Sequence, residues 1–292
     1  MKKKSYCDFL DFLDVNNLDL HDFWEMGNAT SLSESTVGQQ LEFHRGPLLY
    51  ALIQSLKPKK ILEFGTGGGY STLCMAKSMF DNNIDGKIYT IDRVGNEEPI
   101  WRYYKLPNEL HPQKQKISNK EIWKLIANPK WTEKIIPIKG YSGMVMEKLQ
   151  TKDFDFCYVD GVHTYNGTKH DFFSFLKISS KKFSILFDDY IERDFYGVKE
   201  FIDKEVEPFF DLTLVNSDPE NYLKQFTKNQ HDYGMVFFSY DEEKLAIENY
   251  EKDNIQSFLK SYRLSDKRIR SKRYNLEKYL PFLKKIKFGF WK

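Results

Sequence analysis

The stretch Ile61-Leu62-Glu63-Phe64-Gly65-Thr66-Gly67-Gly68-Gly69-Tyr70-Ser71-Thr72-Leu73 constrains this chain most. An apolar approach, an acid, a glycine-dense turn and Ser-Thr running into apolar residues predict a buried strand, a tight bend and a helix start. Glycines there let the backbone take positive φ and let a ligand approach bare main chain. A phosphate loop of the Walker type needs a lysine after its second glycine, and none occurs before Lys77. A dinucleotide fingerprint begun at Gly65 meets Tyr70 where a third small residue is required, and one begun at Gly67 meets Thr72.

What remains, Glu63-x-Gly65-x-Gly67-x-Gly69 after a strand, resembles motif I of the class I S-adenosylmethionine-dependent methyltransferases. The resemblance implies cofactor contacts from Glu63, Gly65, Thr66, Gly67, Gly69 and Ser71. Taken alone, a glycine-rich turn between strand and helix is common in α/β folds, so the rest of the chain has to decide.

Beyond Ile61, apolar runs alternate with helical segments. Strands are expected at about 60–64, 86–92, 135–139, 155–160 and 184–189, with helices at 71–80, 144–149 and 166–178. Near-continuous apolar strands argue for a parallel sheet covered on both faces. Later strand-like runs at 212–215 and 233–238 suit a closing hairpin, as in class I methyltransferase sheets. The expected fold is therefore α/β, a Rossmann-like doubly wound sheet of seven strands, mostly parallel with an antiparallel last strand. An N-terminal helical segment (1–45) precedes the methyltransferase domain (46–245), within which 94–131 reads as a lid-like insertion rich in aromatics. A basic amphipathic tail (246–292) follows.

Ligands of such sheets sit beyond the carboxyl ends of the strands, where Glu63, Asp92, Asp160, Asp188 and Asp189 fall. Asp92 suits the ribose hydroxyls of an adenosine, because a carboxylate accepts two hydrogen bonds from a diol. If the strands ending at Asp160 and Asp188 are neighbours, their carboxylates come close enough to share a hard cation such as Mg²⁺. Successive strand residues face opposite ways, so Asp188 and Asp189 can both reach it only if the backbone leaves the strand there.

Asp160-Gly161-Val162-His163-Thr164-Tyr165, then helix, strand and Asp188-Asp189-Tyr190, resembles the metal-dependent sugar and natural-product O-methyltransferases of the macrocin type. That resemblance implies Asp160, Asp188 and Asp189 as metal ligands, Asp160 also bordering the cofactor, and His163 as general base. A histidine is independently suited to that role, since it titrates near neutrality. Where many relatives carry an acid near the adenine, this chain has Lys139-Gly140-Tyr141-Ser142-Gly143, which leaves Ser142 at that end. The implied reaction is methyl transfer from S-adenosylmethionine to a hydroxyl of a sugar, glycan precursor or related small molecule. Two alternatives stay open: a metal-independent methyltransferase using His163 alone, and a non-catalytic methyltransferase-like binding protein.

The three cysteines, Cys7, Cys74 and Cys157, form no CxxC pair, which fits a reducing, cytoplasmic setting. Between Ile255 and Lys292 twelve lysines and arginines face two acids, a net +10 in a chain of net +2. Such a charge run reads first as a solvated face, with peripheral contact to an anionic membrane left open and nucleic acid not expected. A homo-oligomer is left open.

Overall fold

The computed structural model describes residues 1–13, 18, 20–34, 37, 43–216, 234–241 and 254–265. In chain order these form β1 (Lys2–Ser5), α1 (Tyr6–Phe12), α2 (Leu20–Thr30), α3 (Arg45–Leu56), β2 (Lys60–Phe64), α4 (Tyr70–Asp81) and β3 (Lys87–Asp92). The expected insertion holds β4 (Ile100–Tyr104), β5 (Gln113–Ile117), α5 (Asn119–Ile126) and α6 (Pro129–Thr132). Then come β6 (Ile135–Lys139), α7 (Ser142–Lys148), β7 (Phe154–Val159), α8 (Tyr165–Leu176), β8 (Ser179–Tyr190) and α9 (Val198–Phe201), the last continued by a wider helical turn. Last are β9 (Thr213–Asn216), β10 (Gly234–Asp241) and a helix over 254–265, here α10.

The main sheet runs β1-β9-β10-β8-β7-β2-β3-β6, with β4 and β5 paired separately. Only β10 opposes its neighbours, so the sheet is parallel but for its last strand, as expected. It has eight strands rather than seven. The additional one is β1, whose Lys2 to Ser5 pair in parallel with Thr213 to Asn216. Three lysines and a serine show no apolar alternation, yet an edge strand needs none, and edge lysines discourage further pairing.

Alternation along the central strands feeds two cores. Ile61 and Ile88 pack with Leu48, Leu52, Leu73 and Met75 from α3 and α4. Leu62 and Phe64 pack with Phe172, Phe187 and Phe201 on the other face. Helix α10 joins the second core through Leu259, and its Tyr262 stacks on His170 with ring centroids 4.7 Å apart. The rest of the expected basic tail lies outside the described residues.

From β2 the chain moves outward through β3 to β6, then returns to β7 on the other side of β2. That reversal is the switch point at which open α/β sheets take ligands. There Gly65 donates its amide to Ile91 O (2.9 Å) and the Asp160 amide reaches Phe64 O (3.0 Å). A Cβ at Gly65 would stand 2.0 Å from the carbonyl oxygen of Asp160, so the junction of β2 and β7 accepts only glycine.

Candidate active site

The glycine turn is held from three directions. Asp92 accepts the Gly67 amide at 2.9 Å and the Val94 amide at 2.8 Å, which fixes its carboxylate against the loop. The C-terminal end of α2 presses on the loop so closely that a Cβ at Gly68 would lie 1.7 Å from Thr30 O. From the insertion, Trp123 Nε1 donates to Gly68 O (3.1 Å) and Asn119 Nδ2 to Gly67 O (3.0 Å). Arg102 in turn holds Asn119 at 2.5 Å. Trp123 and Asn119 carry no motif, and the aromatic content of the insertion marked only the segment.

Beneath the loop lies Glu63, 0% exposed, its Oε2 accepting from Thr72 Oγ1 at 2.5 Å. Burial pushes its pKa up to about 8, with the Thr72 bond opposing. Glu63 reaches neither of the cavities described next, and Gly69, which opens α4, lines neither. The acid and the third glycine of the motif thus shape the loop from behind. Thr66, next to the turn, shares a hydroxyl contact with Thr90 at 2.5 Å.

Two cavities, of about 470 and 510 Å³, meet at Gly65, Asp92, Gly161, His163 and Tyr196. The first also takes in Thr66, Gly67, Ser71, Asp160 and Asp189, and is walled by Gly27, Thr30 to Ser33, Phe43 and Arg45. The second contains Ile91, Tyr141, Ser142, Val162 and Asp171. The sequence-expected residues Gly65, Thr66, Gly67, Ser71, Asp92, Ser142, Asp160, His163 and Asp189 therefore border one connected cleft.

The acidic centre is organised by a residue that no motif marks. Arg45, 4% exposed at the start of α3, sets its Nε 2.5 Å from Asp188 Oδ2 and its Nη2 3.0 Å from Asp189 Oδ1. Asp188 also accepts the Tyr158 hydroxyl. Its carboxylate is turned into the core, where burial pushes its pKa well up while Arg45 pulls it down. Asp188 is thus not among the grouped ligands, contrary to the sequence expectation. Asp189 takes φ of 56°, a left-handed turn that breaks the strand's alternation and swings its carboxylate to the cleft.

His163 Nε2 then lies 3.1 Å from Asp189 Oδ2 and 3.6 Å from Asp160 Oδ1. Burial works against the imidazolium, but the Asp160 hydrogen bond and the charges of Asp189, Asp160 and Asp188 outweigh it and raise the pKa. The Asp160 carboxyl is raised as well, chiefly by burial, against the pull of Arg45. Tyr196 covers the imidazole with ring centroids 4.9 Å apart, and the Gly197 amide donates to His163 O at 2.8 Å. Asp160, His163 and Asp189 each offer one ligand atom, all within 4.8 Å of one another. Two carboxylates and an imidazole make a chemically reasonable donor set for a divalent cation.

Residues 62–190 match the family model of a methyltransferase domain. This chain carries a methyltransferase domain. Its fold is that of two solved O-methyltransferases. TomG of Streptomyces achromogenes, involved in tomaymycin synthesis and solved with S-adenosylmethionine, shares 16% identity over 80% of this chain and 94% of its own, with a TM-score of 0.52. The O-methyltransferase of Bacillus cereus, solved with S-adenosylhomocysteine, shares 17% over 79% and 94%, with a TM-score of 0.51. None of the curated proteins matches the chain in sequence. The S-adenosylmethionine-dependent methyltransferase expected from the sequence stands on this domain match. The methyltransferase domain as matched begins at Leu62, so Arg45 and the α2 wall of the first cavity lie upstream of it.

Proposed function

We propose that this protein methylates a hydroxyl of a sugar or related small molecule, with His163 as the base. The observation that carries the reading is the His163 imidazole, set against two carboxylates where the two cavities join. The O-methyltransferases that share the fold support an oxygen acceptor. Thr30, Ser31 and Ser33 in the wall of the first cavity support a hydroxyl-rich one.

S-adenosylmethionine supplies a methyl group made electrophilic by its sulfonium. In this reading the chain's residues divide the work. Asp92 takes the ribose, the glycine turn and Ser71 take the methionine half, and Ser142 takes the adenine end, a division supported by their all lining the two joined cavities. Neutral His163 keeps its Nε2 proton on Asp189 and accepts the acceptor's proton at its other ring nitrogen as the new C–O bond forms and the C–S bond breaks, the electron pair of that bond passing to sulfur. Asp189 and Asp160 hold the imidazole and stabilise the imidazolium. Removing water from such a centre strengthens each of these interactions.

A divalent cation, magnesium in the sequence expectation, would be held by Asp160, His163 and Asp189. It would supply a Lewis acid that lowers the pKa of the acceptor hydroxyl. In that arrangement His163 is a ligand, and the proton passes to water. No helix among the described residues is long and apolar enough to cross a membrane.

Calorimetry with S-adenosylmethionine and with NAD, then transfer of labelled methyl to extracted small molecules with and without EDTA, tests the reading. Heat with the former alone and label in a hydroxylated product are expected. No heat with S-adenosylmethionine would sink it, and loss of transfer in EDTA would favour the metal form.

A further inference from the structure

The segment that closes over His163 enters the cleft through a backbone conformation that its own sequence disfavours. The Tyr196 amide donates to Arg193 O at 3.0 Å, which makes 193–196 a tight turn. Its third residue, Phe195, takes φ of 68°, a left-handed position that glycine or asparagine usually fills. A bulky residue held there costs energy, and such strain gathers where the surrounding structure makes use of it. Here the Phe195 ring is left 85% exposed, while the next ring, Tyr196, turns inward against the imidazole of His163.

The same strap is fastened to His163 twice. The Gly197 amide donates to His163 O at 2.8 Å, and the Tyr196 and His163 ring centroids stand 4.9 Å apart at 39°. A Cβ at Gly197 would lie 2.2 Å from the Tyr165 amide nitrogen at the start of α8, so the strap passes there only as glycine. The Arg193 guanidinium carbon lies 5.2 Å from the Tyr196 ring centroid, a cation–π contact that helps to hold the ring.

A base needs a fixed direction as well as a fixed place. Asp189 and Asp160 engage one atom of the imidazole, Nε2, at 3.1 and 3.6 Å. Contacts at one atom fix a point but leave the plane of the ring free to tilt, and the direction of the other ring nitrogen with it. A second ring packed on the imidazole removes that freedom. We infer that Tyr196 is a positioning residue, whose ring sets the plane of the His163 imidazole so that the nitrogen not facing Asp189 points at the acceptor hydroxyl. Such orientation carries a large factor in rate, because displacing a reacting group by about 1 Å costs on the order of 10²-fold. The inference rests on reading His163 as the base. Tyr196 also borders a third cavity, of about 670 Å³, with Arg193, Lys199 and Asp203, so a smaller side chain can stand there without opening the core.

The test is a double-mutant cycle of Tyr196→Leu with His163→Gln, with Tyr196→Phe as the conservative variant. Labelled methyl transfer from S-adenosylmethionine to extracted small molecules is followed at saturating extract and across dilutions, cofactor affinity by calorimetry and folding by thermal unfolding. Tyr196→Leu should lower the saturated rate by on the order of 10- to 100-fold, with S-adenosylmethionine affinity and the half-saturating extract concentration unchanged. Tyr196→Phe should keep the parent rate, because the ring and not its hydroxyl does the holding. In the His163→Gln background, Tyr196→Leu should cost nothing further. Losses that multiply in the double variant overturn the inference, since Tyr196 would then act apart from His163. So does a full saturated rate in Tyr196→Leu, and a rise in its half-saturating concentration alone would make Tyr196 a contact to the acceptor instead. Full rate in His163→Gln by itself would overturn the reading of His163 as the base.

Discussion

His163 Nε2 lies 3.1 Å from Asp189 Oδ2, and Asp189 reaches it through a left-handed backbone turn at φ 56°. The acids around His163 raise its pKa above the ordinary 6.5, although burial opposes this. A base must be neutral to accept a proton, so activity should rise with pH through a pKa above that value. A pH profile of kcat/KM should show this acidic limb. His163→Gln should abolish the limb and lower kcat by roughly 10²- to 10⁴-fold, with S-adenosylmethionine affinity unchanged. An intact limb in the variant would assign the proton elsewhere.

Arg45 balances two buried acids. Arg45→Met should leave Asp188 and Asp189 uncompensated and cost about 3 to 5 kcal/mol of stability at neutral pH. Arg45→Lys should recover part of it, since the charge is kept while the two-pronged geometry is lost. Denaturant unfolding measures both. A variant as stable as the parent would show that the pair contributes nothing net.

Glu63 makes stability depend on pH. Its folded pKa of about 8 lies above the ordinary carboxylate value of 4.5, so folding favours the protonated form. Stability from this group is fully present below the lower value and is lost as pH rises toward the upper one. Between about pH 5 and about pH 8, the Tm of the parent should fall relative to that of Glu63→Gln. A constant difference across that range would show that Glu63 does not titrate there.

The acids after β8 have different duties, and a metal titration separates them. If a divalent cation binds, Asp189→Asn should weaken Mn²⁺ binding by on the order of 10- to 100-fold, in line with the cost of disturbing a metal site. Asp188→Asn should weaken it far less. Equal losses would restore Asp188 as a ligand.

Much of this was legible in the sequence, for reasons that particular residues make clear. The strands ending at Glu63, Asp92, Asp160 and Asp188 are apolar runs in a chain that alternates strand and helix, and such runs can hardly be anything but a covered parallel sheet. The acids at their ends had to lie along one rim, and Asp92, Asp160 and Asp189 do. Which way each side chain turned was not legible. Asp188 and Asp189 are chemically identical neighbours, and one backbone angle decides which faces the cleft. Glu63 reads as an acid of the motif whether it touches a ligand or lies under the loop. Arg45 was passed over because one arginine at a helix start has no pattern, and its partners are 143 and 144 residues away. For β1, four polar residues gained a strand solely from an edge waiting in β9.

The pressure of Thr30 on Gly68 and the reach of Arg45 to Asp188 and Asp189 bear on how such an enzyme can be taken apart. An excised core starting at β2 would keep the second cavity but lose the roof of the first and the counter-charge of its acids. A chimaera exchanging everything before β2 would carry a new acceptor wall into the old cofactor frame. It would work only if the incoming piece brought its own arginine and its own carbonyl to rest against the turn.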